Sequence, residues 1–248
     1  MENDRSFGIS GLALKLIAMV TMAIDHIGAA GLVGWGDTYT AFRLIGRLAF
    51  PIYCFLLGEG AAKTKSPGRY LLRLFLFGLL SEIPYDLLFH RRLLEFGNQN
   101  IFFTLFLGLA GLSAYRWSRR FDGSWKELIG PAGMVLALLL ARLIHCDYGY
   151  QGVLLIYAMY MWRNESWGRS FLYVPLLLLF FGSFWKGTLQ LAALLAFLPL
   201  AFYNGERGYR VSKYVFYAFY PVHLLLILAA CYLLGTRTDF WGTLSGII

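Results

Sequence analysis

Long apolar stretches separated by short polar segments dominate the chain. The first, from Gly11 to Gly28, is long enough to cross a membrane as a helix, and similar stretches follow it. We predict nine spans, at residues 11–32, 44–62, 70–89, 100–117, 128–145, 150–162, 170–185, 188–203 and 214–234. Clusters of Gly, Pro or charged residues mark their boundaries. The pattern predicts an all-α fold, a polytopic transmembrane helical bundle, as a single integral-membrane domain over residues 1–248.

The composition agrees with a lipid environment. Apolar residues make up 58% of the chain and charged residues only 15%, and the mean hydropathy is +0.59. A soluble protein surface does not have this composition. The net charge of +8 lies in short connecting segments, where it indicates membrane topology and headgroup contact. We therefore expect the lipid bilayer as a partner and no nucleic acid.

The distribution of basic residues predicts the orientation. Most of the 22 Lys and Arg residues fall on the side of the membrane that holds the N-terminus. Positively charged connections stay in the cytoplasm, so we expect a cytoplasmic N-terminus and an outer C-terminus. The first ten residues lack the basic region and cleavage site of a removable signal, so the first span is expected to remain as an anchor.

Ionisable and amide side chains recur at one predicted depth, in the outer half of the bundle. Asp25 and His26 are adjacent near the end of the first span, and Arg43 and Arg47 are spaced to share one helical face. The other members of this polar layer are Glu82, Asp86, Asn98, Gln99, Asn100, Thr104, His145, Asp147, Tyr148, Gln151, Lys186 and Gln190. Charged groups within spans usually face a bundle interior, so the layer predicts a polar cavity open to the outside.

Purely structural roles are open for several of these residues. Arg43 and Arg47 could form ion pairs with Glu82 and Asp86 that join two helices, and such pairs could serve structure and function together. Asp25 could pair with Arg47, because adjacent helical positions diverge by about 100° and Asp25 need not contact His26. His26 itself could be a histidine that bonds to a neighbouring helix.

The remaining histidines differ in their surroundings. His145 lies at the end of a span, where solvation is easy, and His90 precedes two arginines and is expected to be a solvated loop residue. His223 lies within the last span beside Pro221, which makes it a second functional candidate.

The absence of several known sequence motifs excludes some classes of active site. The chain has no P-loop, dinucleotide-binding, GxSxG or HExxH motif, and its four histidines lack the spacing of zinc ligands. The three cysteines, Cys54, Cys146 and Cys231, form no CxxC pair and are expected to be buried free thiols. A membrane histidine with acidic and basic neighbours suits general-base activation of an amine or hydroxyl, or a proton relay in a transporter.

Six segments together resemble the TraX family, which is named for the F-pilin acetylation protein. They occur in the family's order and cover nearly the whole chain. The segments are LKLIAMVTMAIDHIG (14–28), RLIGRLAFPIYCFLLGEG (43–60), RYLLRLFLFGLLSEIPYDLLF (69–89), NQNIFFTLFLGL (98–109), DYGYQGVLLIY (147–157) and KYVFYAFYPVHLLLI (213–227).

The resemblance implies a multi-pass acetyltransferase that uses acetyl-CoA, an acyltransferase-like domain in the bacterial plasma membrane. The family is distantly similar to transmembrane acyltransferases that acetylate sugars and glucosamine through an essential membrane histidine. By that analogy His26 is the catalytic base and Asp25 its orienting or charge-balancing partner. Arg43 and Arg47 would bind the CoA phosphates or stabilise the oxyanion. The residues expected to line the site are Glu82, Asp86, Asn100, Tyr148 and His223.

The expected reaction moves an acetyl group to an amine at the outer side, either a pilin-type peptide N-terminus or an amino sugar, without a metal. Two other functions are open at this point. A secondary transporter or proton-coupled channel could use the same buried Asp, His, Arg and Glu side chains, although the sequence has no internal symmetry between its halves. A structural subunit for surface-appendage assembly would tolerate conservative changes in the polar layer.

Overall fold

The computed structural model describes residues 8–163 and 188–236. These ranges are helical and contain no β-strand; two isolated bridges join Ile9 to Tyr203 and Gln99 to Cys146. The all-α prediction is confirmed for this part of the chain. The helices are α1 (Gly11–Ala29), α2 (Asp37–Gly46), α3 (Ala49–Lys63), α4 (Pro67–Phe89), α5 (Ile101–Ser118), α6 (Lys126–Leu143), α7 (Gly149–Trp162), a 3₁₀ helix (Thr188–Ala196), α8 (Phe197–Ala201) and α9 (Lys213–Leu233).

Four stretches of the described chain are long and apolar enough to cross a membrane. They are Gly11–Ala29, Asp37–Lys63, Ile101–Ser118 and Lys213–Leu233. The prediction of nine spans is not confirmed. Helix α4 is 23 residues long but carries four charged side chains, and α7 has only 14 residues. The predicted span at 170–185 lies outside the described residues.

The chain divides into two compact units. Unit 1 comprises Met1–Leu56 and Asn164–Phe216, and unit 2 comprises Leu57–Arg163 and Tyr217–Ile248. The boundaries after Leu56 and Phe216 fall inside α3 and α9, respectively. The prediction of a single domain over residues 1–248 stays a prediction.

Helix α1 belongs to unit 1 and has one buried face. Its buried residues recur every three or four positions, as expected for an amphipathic helix: Gly11, Leu14, Ala18, Thr21, Met22, Asp25 and Gly28. Leu16 and Val20 on another face are exposed. Ser10 caps the helix, since its hydroxyl accepts a hydrogen bond from Ala13 N at 3.3 Å. The same periodicity that buries Leu14 and Ala18 therefore places Asp25 inside unit 1.

A proline explains why the second predicted span is broken into α2 and α3. In a continuous helix the N–H of residue 51 would bond to the carbonyl of Arg47, but Pro51 has no N–H. Helix α2 therefore ends at Gly46, with Arg47 as its C-cap, and α3 begins at Ala49 with Pro51 in its first turn. The break places Arg43 in the last turn of α2 and Arg47 just beyond it.

Small residues allow close packing around α5 in unit 2. A Cβ at Gly108 would contact Ile156 of α7, and one at Gly130 of α6 would lie 2.6 Å from Ser118 Oγ. Close approach through glycine is common between membrane helices, where packing rather than water exclusion drives association. Most of α5 is buried by these contacts.

Large apolar side chains are exposed on several helices of unit 2. The exposed residues include Leu72, Leu76, Leu79, Leu80 and Ile83 of α4, Leu136 and Leu139 of α6, and Leu225 and Leu226 of α9. Soluble monomers rarely expose contiguous apolar surface of this kind, and lipid covers it in membrane proteins. The apolar faces agree with a bilayer environment.

Candidate functional site

Asp25 is held between two arginines inside unit 1. Its Oδ2 lies 2.9 Å from Arg43 Nη1, and its Oδ1 lies 2.7 Å from Arg47 Nη2. The Asp25 side chain is only 12% exposed. Burial of an unpaired carboxylate would be costly, and two charge-assisted hydrogen bonds offset that cost. The pairing of Asp25 with Arg47 considered from the sequence is present, and Arg43 joins it.

The arginines have further partners that fix their positions. Arg47 Nε donates to the carbonyl of Arg43 at 3.1 Å, and its Nη1 donates to Gln190 Oε1 of the 3₁₀ helix at 3.3 Å. Arg43 Nη1 also lies 3.4 Å from the backbone carbonyl of Asp25. One carboxylate between two guanidinium groups leaves this group of three residues with a net charge of +1. Its chemistry is therefore suited to an anion.

A glycine allows this arrangement. A Cβ built at Gly46 would overlap the Cβ and carboxylate of Asp25, so only the absence of a side chain lets α2 approach α1 this closely. Gly28 of α1 has a similar role, because a Cβ there would lie 2.9 Å from Phe42 Cβ. The two glycines bring the arginines of α2 within reach of Asp25.

Replacement of Gly46 by Ala is expected to destabilise the protein by about 1–3 kcal/mol, since the added methyl group must displace the Asp25 carboxylate or the helix. Thermal unfolding in detergent would measure the loss. Gly68→Ala is the matched control, because a Cβ at Gly68 meets nothing within 4 Å. Equal melting temperatures for the two variants would contradict the close approach.

His26 follows Asp25 in the last turns of α1 and is half-buried. Both carboxylate oxygens of Asp25 have arginine partners, Oδ2 with Arg43 and Oδ1 with Arg47. The observed contacts thus give Asp25 a charge-balancing role for the arginines. His26 is next to this charged group along the chain, on a partly exposed part of the helix.

Unit 2 holds a second polar group, around the start of α5. Glu82 Oε1 accepts hydrogen bonds from the Asn100 backbone N–H at 2.9 Å and from the Asn100 amide. Asn100 caps α5 through its Oδ1, which accepts from Phe102 N at 2.9 Å, and its Nδ2 donates to the Gly78 carbonyl at 2.8 Å. A carboxylate at a helix N-terminus is electrostatically favourable. Glu82 and Asn100 therefore join α4 to α5.

Asp86 lies one turn further along α4 and is almost completely buried, at 1% exposure. Its Oδ2 accepts from the backbone N–H of Glu95 at 2.7 Å, whereas its Oδ1 has no hydrogen-bond partner among the described residues. Both acids accept backbone N–H groups, and both arginines bond to Asp25. The alternative in which the two acids pair with Arg43 and Arg47 stays a prediction.

Two other candidate residues in unit 2, Tyr148 and His223, and the non-candidate His90 have distinct surroundings. Tyr148 is the N-cap of α7 and has a left-handed backbone, with φ of 61°. His223 is buried, stacks on Phe219 with ring centroids 4.6 Å apart, and its Nδ1 lies 2.8 Å from the Phe219 carbonyl. His90 differs from its prediction as a solvated loop residue, because it caps α4, is half-buried and packs edge-on against Tyr85.

The sequence contained signals for one residue that the predicted site lacked, Gly46, and for a capping role of Asn100 that was not predicted. Gly46 lies between the two arginines in an otherwise apolar segment, and an isolated glycine there indicates close approach of another backbone or side chain. Asn100 directly precedes a long apolar helix, which is the position of an N-cap. The contact of Glu95 with Asp86 has no comparable local signal, since it joins residues across an irregular loop.

Comparison with known proteins gives two relatives and one family. The chain is 29% identical over 249 residues to "Probable fimbrial assembly protein FimC, serogroup H1" of Dichelobacter nodosus, covering 92% of this chain and 98% of that protein. It is 31% identical over 104 residues to "Uncharacterized protein RP591" of Rickettsia prowazekii (strain Madrid E), covering 42% of this chain and 36% of that protein. No solved structure matches the chain at a significant level. The family model "TraX protein" matches residues 10–230, and the chain therefore belongs to the TraX family.

Proposed function

We propose that the chain is a membrane-embedded acetyltransferase that moves an acetyl group from acetyl-CoA to an amine at the outer side of the bacterial plasma membrane. The observation that carries the proposal is the buried carboxylate of Asp25 between Arg43 and Arg47, directly beside His26 in an apolar helix. The TraX family membership and the fimbrial name of one relative support a pilin-type peptide N-terminus as acceptor. An amino sugar offers the same amine chemistry.

The acceptor amine, the thioester and His26 each have a separate role in the proposed reaction. The acceptor amine attacks the thioester carbonyl, the tetrahedral intermediate collapses, the C–S bond breaks and CoA leaves as the thiolate. His26 takes the proton from the attacking nitrogen and can pass it to the departing sulfur. Transfer through an acetyl-histidine is an equally balanced route, in which His26 Nε2 or Nδ1 attacks first and the amine then displaces it.

The role assigned to the arginines is to bind or stabilise negative charge. Asp25 holds both guanidinium groups in place without neutralising them fully, so the net charge of +1 faces either the developing oxyanion or a phosphate of CoA. A pre-positioned cation acts strongly in a partly buried site because little water screens it.

Basic residues at the other end of α1 suit the nucleotide half of acetyl-CoA. Lys15 Nζ lies 4.7 Å from the ring centroid of Phe216. Arg207 belongs to the loop that bonds the start of α1, since its carbonyl accepts from Leu12 N at 3.0 Å. With the N-terminus in the cytoplasm, this end of α1 faces the compartment that supplies acetyl-CoA.

The test measures release of free thiol by the purified protein in detergent, as water slowly takes the acetyl group in the absence of an amine, with acetyl-CoA and with acetyl-pantetheine, which lacks the nucleotide. Saturable release is expected from the wild type. If Arg47 stabilises the oxyanion, Arg47→Gln lowers kcat by about 10²- to 10³-fold with both donors. If Arg47 binds a phosphate, the variant raises KM about tenfold or more for acetyl-CoA alone.

Arg119→Gln is the matched control, because Arg119 is an exposed arginine that pairs only with Glu127 in the described ion pairs. Its kinetics are expected to equal those of the wild type. Absence of binding and of thiol release in a folded wild-type protein would contradict the acetyltransferase and favour the transporter.

A further inference from the structure

Gln190 connects the 3₁₀ helix to Arg47 within unit 1. Its Oε1 accepts a hydrogen bond from Arg47 Nη1 at 3.3 Å. Apart from Thr188 at its start, every other residue of the 3₁₀ helix is Leu or Ala. A half-buried carboxamide in an apolar helix loses hydration, and a hydrogen-bond partner has to replace it. Arg47 is such a partner, and with Asp25 and Arg43 it forms the group of net charge +1.

The type of helix determines where Gln190 points. In a 3₁₀ helix the side chains of residues three apart lie directly above one another. Gln190 is therefore in line with Ala193 and Ala196, which are buried, whereas Leu195 on another line is exposed. An α-helix turns about 100° per residue rather than about 120°, and over six residues the difference amounts to about 120°. The 3₁₀ form thus directs Gln190 to the buried side of the helix.

The length of the 3₁₀ helix is unusual. It has nine residues, whereas 3₁₀ runs longer than about four residues are uncommon because their backbone hydrogen bonds have poorer geometry. Ala and Leu are among the best α-helix formers, so local propensity does not favour the 3₁₀ form. Contacts with other parts of the chain therefore hold the segment in this form. The hydrogen bond from Arg47, in the segment between α2 and α3, to Gln190 is one of them.

Three nitrogen atoms of the Arg47 guanidinium group are held by different partners. Nε donates to the Arg43 carbonyl at 3.1 Å, and Nη2 donates to Asp25 Oδ1 at 2.7 Å. Nη1 donates to Gln190 Oε1. Arginine has only donors, so Gln190 can pair with it only through the carboxamide oxygen. Bonds at all three nitrogens fix the plane of the guanidinium group as well as its position, and the bond to the uncharged Gln190 leaves the net charge at +1.

We propose that Gln190 is a positioning residue that acts through Arg47, because it fixes the plane in which the guanidinium group meets the negative charge of the donor. The inference rests on the proposed function, in which Arg47 stabilises the oxyanion or binds a phosphate of acetyl-CoA. A neutral acceptor suits this role better than a second carboxylate, which would cancel the net charge of +1. A guanidinium group that is already oriented loses less freedom when an anion binds.

The first test observes Arg47 directly and contains no donor. The full-length protein in detergent carries ¹⁵N-labelled arginine, and the resonances that are lost in Arg47→Gln identify Arg47. NMR exchange measurements then give the rate at which its guanidinium group rotates about the Nε–Cζ bond. We expect Gln190→Leu, which has a similar size but no acceptor, to raise this rate about tenfold or more. An unchanged rate in Gln190→Leu would overturn the inference.

Three further variants relate the rotation rate to the acceptor atom. Gln190→Glu keeps an oxygen acceptor, so its rate is expected to stay as low as in the wild type, and a high rate would contradict the inference. Gln190→Asn has a shorter side chain and is expected to match Gln190→Leu, which it replaces if Gln190→Leu does not fold. Gln99→Leu is the matched control with an unchanged rate, because the Gln99 side chain donates to the Phe96 carbonyl in an exposed loop of unit 2.

The second test is a double-mutant cycle on thiol release from acetyl-CoA. Gln190→Leu is expected to change the same parameter as Arg47→Gln, kcat or KM, by about tenfold, and to add less than about twofold when residue 47 is already Gln. An equal loss in both backgrounds would show that Gln190 does not act through Arg47 and would overturn the inference. Absence of thiol release in a folded wild type would contradict the proposed reaction, whereas the rotation rates would still decide the role of Gln190.

Discussion

His26→Ala is expected to lower acetyl transfer and thiol release by about 10²- to 10⁴-fold, because general-base catalysis by a positioned side chain contributes that much. The protein should still fold, since His26 is half-buried rather than part of the fully buried core. The measurement is the rate of thiol release at saturating acetyl-CoA, with expression level and melting temperature recorded for each variant.

His145→Ala is the control for the loss of an imidazole, because His145 is exposed and lies in a turn with φ of 52°. Its rate is expected to match that of the wild type. Retention of substantial transfer activity by His26→Ala would remove His26 from the chemistry. A pre-steady-state burst of thiol in the wild type that disappears in His26→Ala would favour the acetyl-histidine route.

Asp25→Ala is expected to destabilise the protein by about 3 kcal/mol, because it leaves Arg43 and Arg47 partly buried without a counter-charge. For a chain of this size the melting temperature in detergent should fall by roughly 10 °C. Both contacts are short, 2.9 Å and 2.7 Å, and the carboxylate is 12% exposed, so water can replace little of the lost interaction.

Glu127→Ala is the matched control, because it also removes a carboxylate that pairs with an arginine. Glu127 lies 2.9 Å from Arg119, but the two side chains are 62% and 52% exposed, and an exposed pair contributes about 0–1 kcal/mol. A similar small loss for both variants would show that Asp25 does not anchor the two arginines.

Hydropathy and residue spacing predicted the helices more accurately than their membrane role. The predicted starts at residues 11, 70, 100, 128, 150 and 214 lie within three positions of the observed starts of α1, α4, α5, α6, α7 and α9. The break of the second span into α2 and α3 was not predicted. Pro51 has no N–H, and this interrupts a helix only where the carbonyl four residues earlier would otherwise accept that N–H. The span number stays unconfirmed, since α4 and α6 combine exposed leucines with charged ends.

Partner choice among the charged residues was only partly predictable. The sequence singled out Asp25, Arg43 and Arg47, which form the observed ion pairs, and it allowed Asp25 to pair with Arg47. The catalytic role of His26 stays a prediction. That Arg43 also binds Asp25 depends on Gly28 and Gly46, which set the distance between two helices. The role of Asn100 as a cap that binds Glu82 likewise depends on the approach of α4 to the start of α5.

The group formed by Asp25, Arg43 and Arg47 has a net positive charge, and this charge affects how the proposed reaction should be assayed. Sulfate, phosphate and citrate are anions that guanidinium groups bind well, so they are expected to compete with the proposed acetyl-CoA donor for the same two side chains. Screening by salt is weak in a partly buried site, so inhibition should follow the identity of the anion rather than ionic strength. Apparent donor affinities measured in different buffers would then differ although the protein is the same.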